Sequence, residues 1–324
     1  MDGDVGMTVT KTEKGRNPPF DLCAGDGMTY GYFETEDLLS IRYAIQRAEN
    51  AVGTVVVLGG RKEYIEKYRE TIFELIGWGY DVYTLDWRGQ GLSTRLLANR
   101  HKGYVENFDH YVRDLSQFMA EKVPARGAGK VILLAHSMGG HIALRYLHDS
   151  PDRVDGAVLS APMIDIDTAP IPKKIVRWIT AAAMRAGRAQ DYAIGSKDYD
   201  PRSTRFSKNP LTGDPVRFAV EENQICQNPD LALGGVTYGW LWESFRSIDR
   251  INAPRFAHGI RTPVLLVNAG CDSVVDGRAQ RRICGRMREA SFLTIAGARH
   301  EILNEQEKIR HRFWEAFHRF ARSL

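Results

Sequence analysis

The chain has 324 residues, 43% hydrophobic and 26% charged, as in an ordinary globular protein with a large core, and its formal charge of +4 carries no global sign of nucleic-acid binding. The four cysteines (Cys23, Cys226, Cys271, Cys284) have neither disulfide-framework nor zinc spacing, and residues 1–20 lack the apolar stretch of a secretory signal. No apolar run approaches the ~20 residues of a membrane span, so the expectation is a cytoplasmic protein, able at most to lie against the inner face of a membrane.

Residues 1–27 read as a loose lead containing Gly, Asp and Pro-Pro. Residues 30–34 and 40–45 suggest the strands of an opening hairpin. Residues 54–58, Thr-Val-Val-Val-Leu, are continuously apolar, the pattern of a strand buried on both faces. A helix is expected over 64–76, a strand over 80–85, a helix over 108–122 and a strand over 130–135. Further strands are expected over 154–160, 263–267 and 291–295. Over 307–321, Ile309, Phe313, Ala316, Phe317 and Phe320 fall on one helical face. Strands alternating with helices predict an α/β fold with a mostly parallel, doubly wound sheet. Residues 162–254 break the alternation. They contain helical pieces and Pro/Gly/Asn/Asp loops and lie between two core strands. The expected division is therefore a core of 28–161 and 255–324 with a helical cap, 162–254, at the carboxyl edge of the sheet.

The chemistry is concentrated at Ala135-His136-Ser137-Met138-Gly139-Gly140. A strand precedes this stretch and an apolar helical pattern (Ile142, Ala143, Tyr146, Leu147) follows it. Strand, small-x-Ser-x-Gly, helix is the pattern of a nucleophile elbow, with Ala135 at the position of the usual first glycine. A serine needs a general base, and the base needs an orienting acid, in the chain order Ser, Asp or Glu, His. Asp272 follows the strand at 263–267 and is preferred over Asp276, four residues on. His300 follows the strand at 291–295. His136 sits in an extended segment and is read as facing away; His141 and His148 lie on the elbow helix, His311 and His318 on the terminal helix, and His258 precedes the acid. An oxyanion needs preorganised N–H donors. Met138, the residue after the nucleophile, offers one, and Arg61, in the loop Gly59-Gly60-Arg61-Lys62-Glu63, offers the other.

With these residues in place the sequence resembles the α/β-hydrolases of the lysophospholipase L2 and monoacylglycerol lipase group, also called the serine aminopeptidase S33 group. The elbow at 135–140 carries the likeness. So does Asp86-Trp87-Arg88-Gly89-Gln90-Gly91-Leu92-Ser93, which resembles the family's D-x-R-G-x-G-x-S turn. Gly59-Gly60-Arg61-Lys62-Glu63 with Tyr68 resembles H-G-x-x-E and its tyrosine, with Gly59 in place of the histidine. Residues 269–272 and 297–300 resemble the acid and base segments. The likeness spans roughly residues 30–320. It implies hydrolysis of a single-chain lipid ester, a lysophospholipid or a monoacylglycerol, with no metal or organic cofactor.

Between 173 and 217 there are ten Lys or Arg and four Asp. Ile171, Ile175, Trp178, Ile179 and Ala182 share one helical face, with Lys173, Lys174, Arg177 and Arg185 largely elsewhere. One expectation docks this face on the core. The other lays a basic amphipathic helix on an anionic membrane or meets a phosphate headgroup. Trp240, Trp242 and Phe245 are expected inside the cap. An S33-type aminopeptidase or a non-lipid carboxylesterase is the alternative activity, and the basic cap disfavours an ammonium-bearing substrate. Ser137 excludes a dehalogenase, which needs Asp there. A non-catalytic scaffold has no need of the full Ser, Asp, His order.

Overall fold

In the computed structural model, which describes residues 27–124, 129–203 and 205–324, the chain opens with a hairpin of β1 (Thr29–Glu34) and β2 (Ser40–Gln46). The lead expected at 1–27 lies, up to residue 26, outside the described residues. There follow β3 (Gly53–Leu58), α1 (Arg69–Gly77), β4 (Tyr80–Leu85), α2 (Asp109–Glu121), β5 (Lys130–His136), α3 (Met138–Asp149) and β6 (Gly156–Ser160). Four helices come next: α4 (Lys173–Arg185), α5 (Pro215–Gln227), α6 (Tyr238–Asn252) and the short α7 (Phe256–Gly259). The chain closes with β7 (Val264–Ala269), α8 (Gly277–Cys284), β8 (Ala290–Ile295) and α9 (Glu307–Ser323). Where one helix was expected over 64–76, a 3-10 turn at Ile65–Tyr68 precedes α1. Among the described residues no helix is long and apolar enough to cross a membrane.

The strands form one sheet in the order β1-β2-β4-β3-β5-β6-β7-β8, antiparallel at the hairpin edge and parallel from β4 to β8. The continuous apolar run of β3 is explained by its place. Val56 and Leu58 pack on one face with Leu133, Ala135 and Leu159, while Val55 and Val57 pack on the other with Ile132, Leu134 and Val158. Helices α2 and α3 cover the first face. On the second, α9 contributes Phe313, Trp314 and Phe317, and burying each such ring contributes about 1.5–3 kcal/mol.

Between β6 and β7 the described residues form helices and loops but no strand. Asp214 caps α5, accepting from Val216 and Arg217 N–H with Pro215 at the first turn, and Thr237 caps α6. In α6, Trp240 and Phe245 are buried and Trp242 is half-buried. The plain expectation for α4 fails. Its buried residues are Thr180 and Ala183, while Ile171, Ile175 and Trp178 remain 44%, 49% and 70% exposed. The cause is local. Small side chains let α4 approach α6, and Arg177 locks that orientation by pairing with Asp249 at 2.7 Å and stacking over Phe245.

Candidate active site

Ser137 stands between β5 and α3 with φ 51° and ψ −115°, a left-handed backbone that a non-glycine residue rarely takes. The strain is held by hydrogen bonds. Its N–H donates to Ser160 O at 3.0 Å, and its carbonyl accepts from His141 and Met163 N–H at 3.1 and 2.9 Å. Gly139 is required by close approach, since a Cβ there would come within 2.4 Å of Leu58 O and 2.5 Å of Gly59 O. The turn therefore presses the start of α3 against the end of β3.

Pairing of Ala269 with Ile295 brings the loops after β7 and β8 side by side at the edge where β5 ends. His300 Nε2 lies 2.9 Å from Ser137 Oγ, and His300 Nδ1 lies 2.8 Å from Asp272 Oδ2. All three groups are buried. Burial pushes the Asp272 carboxyl up, but it stays below its ordinary range. Hydrogen bonding and charge from His300, with the N–H groups of Val274 and Val275, outweigh burial. An ionised Asp272 accepts from Nδ1–H, which leaves the Nε2 lone pair facing the serine hydroxyl. Asp276 is elsewhere. Its carboxylate accepts from Arg278 and Ala279 N–H and caps α8.

Leu58 pairs with Ala135, so the loop after β3 lies beside the elbow. A Cβ on Gly60 would fall 3.1 Å from Ser137 Cβ, so any larger residue would crowd the nucleophile. Among the described residues neither Arg61 N–H nor Met138 N–H donates to another group, so two free donors flank Ser137. The turn at 86–93 supports this loop. Trp87 Nε1 donates to Gly59 O at 2.7 Å and Gln90 Nε2 to Gly60 O at 2.8 Å, while Asp86 accepts from Ile65 and Leu92 N–H. Glu63 closes the loop on itself, accepting from Gly60 N–H and from Tyr68 Oη.

Two features escaped the sequence reading. His136 does not face away from the site. Its ring centroid is 4.8 Å from that of His300, Nδ1 meets Ser160 O at 3.1 Å, and Nε2 lies 3.7 Å from Glu63. Burial holds this imidazole below its ordinary pKa. The second feature is a buried charge cluster behind the site. Lys67 pairs with Glu63 at 3.2 Å, Glu301 at 2.7 Å and Glu221 of α5 at 3.0 Å. The E-x-x-x-K spacing of Glu63 and Lys67 was visible. Glu221 and Glu301 arrive from distant stretches with no local signal.

A mostly parallel sheet wrapped by helices, with Ser, Asp and His at the carboxyl ends of its strands, defines this protein as an α/β-hydrolase. More narrowly, the chain belongs to the serine aminopeptidase S33 family, whose model matches residues 49–307, and it is a hydrolase. It is 36% identical to lysophospholipase L2 of Escherichia coli (strain K12) over 286 residues, 86% of this chain and 83% of that protein. It is 30% identical to a probable lysophospholipase L2 of Haemophilus influenzae over 284 residues, 87% of this chain and 88% of that one. Its fold is similar to that of a soluble variant of monoglyceride lipase from Saccharomyces cerevisiae, solved in complex with a substrate analog. The TM-score is 0.73 and the identity 17%, over 94% of this chain and 99% of the other.

Proposed function

We propose that this hydrolase cleaves the acyl ester of a single-chain lipid, a lysophospholipid or a monoacylglycerol, through an acyl-enzyme on Ser137. One observation carries the reading: the unbroken chain Asp272, His300, Ser137, with contacts of 2.8 and 2.9 Å. Ser137 Oγ attacks the ester carbonyl carbon while its proton passes to His300 Nε2. Asp272 orients the imidazole and stabilises the imidazolium. The carbonyl oxygen, now an alkoxide, accepts from Met138 and Arg61 N–H, each such donor contributing about 2.7–4 kcal/mol. The tetrahedral intermediate expels the glycerol-side alkoxide, which takes the proton from His300 Nε2. Water then attacks the acyl-serine, with His300 accepting its proton and returning it to Ser137.

The lipid assignment draws on the names of the bacterial and yeast relatives. Residues 162–254 serve in this reading as the cap that shapes the acyl and headgroup sites, over a core of 28–161 and 255–324. The outward apolar residues of α4 favour peripheral contact with an anionic membrane. An aminopeptidase reading is disfavoured by the basic first half of the cap, residues 173–217, which carries no acidic excess to hold a substrate ammonium.

The test compares wild type with Ser137→Ala on monoolein, lysophosphatidylcholine, a p-nitrophenyl ester and an aminoacyl amide. Fatty-acid release from the lipids is expected, and the variant should keep less than about a thousandth of it. Comparable turnover by a pure, folded Ser137→Ala protein would overturn the mechanism. Wild-type turnover of the amide alone would favour the aminopeptidase, and of the short ester alone a non-lipid carboxylesterase.

A further inference from the structure

His300 stands beyond the ladder that pairs β7 with β8, and both of its chain neighbours are held from outside the sheet. They donate to carbonyls of one short segment of the β6–β7 connection, Asn209-Pro210-Leu211-Thr212-Gly213. Arg299 Nη1 donates to Asn209 O at 2.8 Å and to Thr212 O at 2.9 Å. Glu301 N–H donates to Leu211 O at 2.8 Å. Further along, Thr212 Oγ1 donates to Asn304 O at 2.5 Å and Gln306 Nε2 to Gly213 O at 3.1 Å. Gly213 has no room for a side chain, since a Cβ there would come within 2.9 Å of Glu305 Oε2. Glu305 is buried and in turn accepts from Arg299 N–H at 2.8 Å.

The segment is shaped to present these carbonyls. Asn209 Oδ1 accepts from Leu211 N–H and Asn209 Nδ2 donates to Thr212 O, both at 2.8 Å, while Thr212 Oγ1 accepts from Asp214 N–H at 2.9 Å. Asp214 then caps α5, and Arg217 in the first turn of that helix donates to Glu305 O at 3.1 Å. Helix α5, residues 209–213 and the loop of His300 thus form one hydrogen-bonded unit. Its guanidinium bonds to carbonyl oxygens are charge-assisted and directional. Such fixing matters for a base on a loop, because a misplacement of about 1 Å costs up to about a hundredfold in rate.

We propose that residues 209–213 of the cap are a strap that positions His300 for proton transfer, with Thr212 and Arg299 as its positioning residues. The proposal rests on the reading of Ser137, His300 and Asp272 as the acyl-transfer machinery and goes beyond it. The cap then has a second task besides walling the acyl site. A displacement of α5 reaches the base through the strap, so the cap governs the rate of the chemical steps as well as substrate binding.

The test uses Thr212→Val, which keeps the shape and removes the hydroxyl, and Arg299→Met, which keeps the length and removes both donors. Each should lower kcat about 10- to 100-fold on a short p-nitrophenyl ester and on monoolein alike, with KM within about twofold, because one base serves both substrates. Thr212→Ser and Arg299→Lys keep a donor and should recover most of the rate. Arg177→Met loosens the cap at α4 without touching the strap and should leave kcat on the soluble ester unchanged. A second readout needs no turnover. In proton NMR the His300 Nδ1–H bonded to Asp272, assigned by its loss in His300→Gln, should be sharp in wild type, Thr212→Ser and Arg299→Lys. It should broaden through exchange with water in Thr212→Val and Arg299→Met. Arg299 is half-buried, and its variants decide the matter should Thr212→Val fail to fold. A loss confined to KM or to the lipid, an equal loss in Arg177→Met, or a resonance indifferent to the strap would overturn the proposal. Retained hydrolysis by Ser137→Ala would instead sink the nucleophile, with the resonance recorded in that background still deciding the strap.

Discussion

Lys67 Nζ lies 2.7 Å from Glu301 Oε1, and this bond fastens the turn behind the oxyanion loop to the residue next to His300. The same ammonium holds Glu63 and reaches across to Glu221 of α5. Three carboxylates around one ammonium leave an excess of negative charge in a buried place. For Glu63, burial is outweighed by His136, Lys67 and the hydrogen bonds from Tyr68 and Gly60, so its carboxyl is held well below the ordinary range. Glu221 bears the excess. Burial first, then Glu301 and Glu63, push it up to about 7 against the pull of Lys67.

A carboxyl raised in the folded state from 4.5 to about 7 contributes stability that is present below 4.5 and lost as pH rises through 7. Glu221→Gln keeps the shape and removes the charge. At pH 8 it should raise stability by on the order of 1–3 kcal/mol, a Tm gain of several degrees. At pH 5 the difference should shrink towards zero. Thermal unfolding at the two pH values checks this, and a variant less stable than wild type at pH 8 would refute it.

Asp272→Asn should cripple turnover, by about 10⁴ in kcat, because the amide N–H₂ donates to Nδ1 and holds the imidazole in the wrong tautomer, with no charge left to stabilise the imidazolium. Asp276→Asn touches only α8, its first turn and Arg282 at 3.7 Å, and should cost at most about 0.5–2 kcal/mol of stability, with kcat nearly unchanged. Steady-state kinetics and Tm on both variants separate the two residues. The reverse ranking in kcat would move the acid role to Asp276.

What could be read from the sequence was local. The apolar run of β3, the small residues around Ser137, and an acid and a histidine just past two strands each show in a few adjacent positions, and the sheet joins them because parallel strands end at one edge. What stayed hidden depends on orientation or on distance along the chain. Periodicity groups Ile175 and Trp178 on one face of α4, with Ile171 just before it, but does not say which way that face points. Thr180 and Ala183 decide it by allowing close contact with α6. Strand alternation suggested that His136 turns away, yet the backbone distortion at Ser137 leaves it beside His300.

His141 is fully buried on α3, with Nδ1 2.9 Å from Met163 O and Nε2 2.6 Å from Ser247 Oγ. Burial pushes its pKa from 6.5 down to about 3. The unfolded chain takes up a proton below 6.5 and the folded protein does not, so this contribution is full above 6.5 and falls away as pH drops towards 3. His141→Gln should cost about 1–3 kcal/mol at pH 7 through its altered hydrogen bonds. It should also flatten the fall in stability between pH 6.5 and 4, with His136 supplying part of the remaining slope in the same direction. Urea unfolding across this range is the measurement, and an unchanged slope in the variant would rule the assignment out.

The outward face of α4 gives the last prediction. Arg177 is paired with Asp249 and Lys173 with Asp165, so part of the basic charge of this helix is answered within the protein. The apolar residues are not answered. Transfer of an exposed Trp or Ile side chain into a lipid interface contributes about 1.5–3 kcal/mol at most, against ~1 kcal/mol for each basic residue near an anionic surface. The apolar term should therefore dominate, with a smaller electrostatic part that weakens as salt screens it over about 10 Å at 0.1 M. Ile175→Ser with Trp178→Ser should raise KM for lysophospholipid presented on anionic vesicles by at least about tenfold, while Lys174→Gln should raise it less. Neither should alter hydrolysis of a short soluble ester, because Ser137 and His300 are held by other elements. Vesicle co-sedimentation, with kinetics on both substrates, tests the claim. An equal loss on the soluble ester would make the exposed face a structural feature of the cap, and undiminished sedimentation of the double variant would place the membrane contact elsewhere.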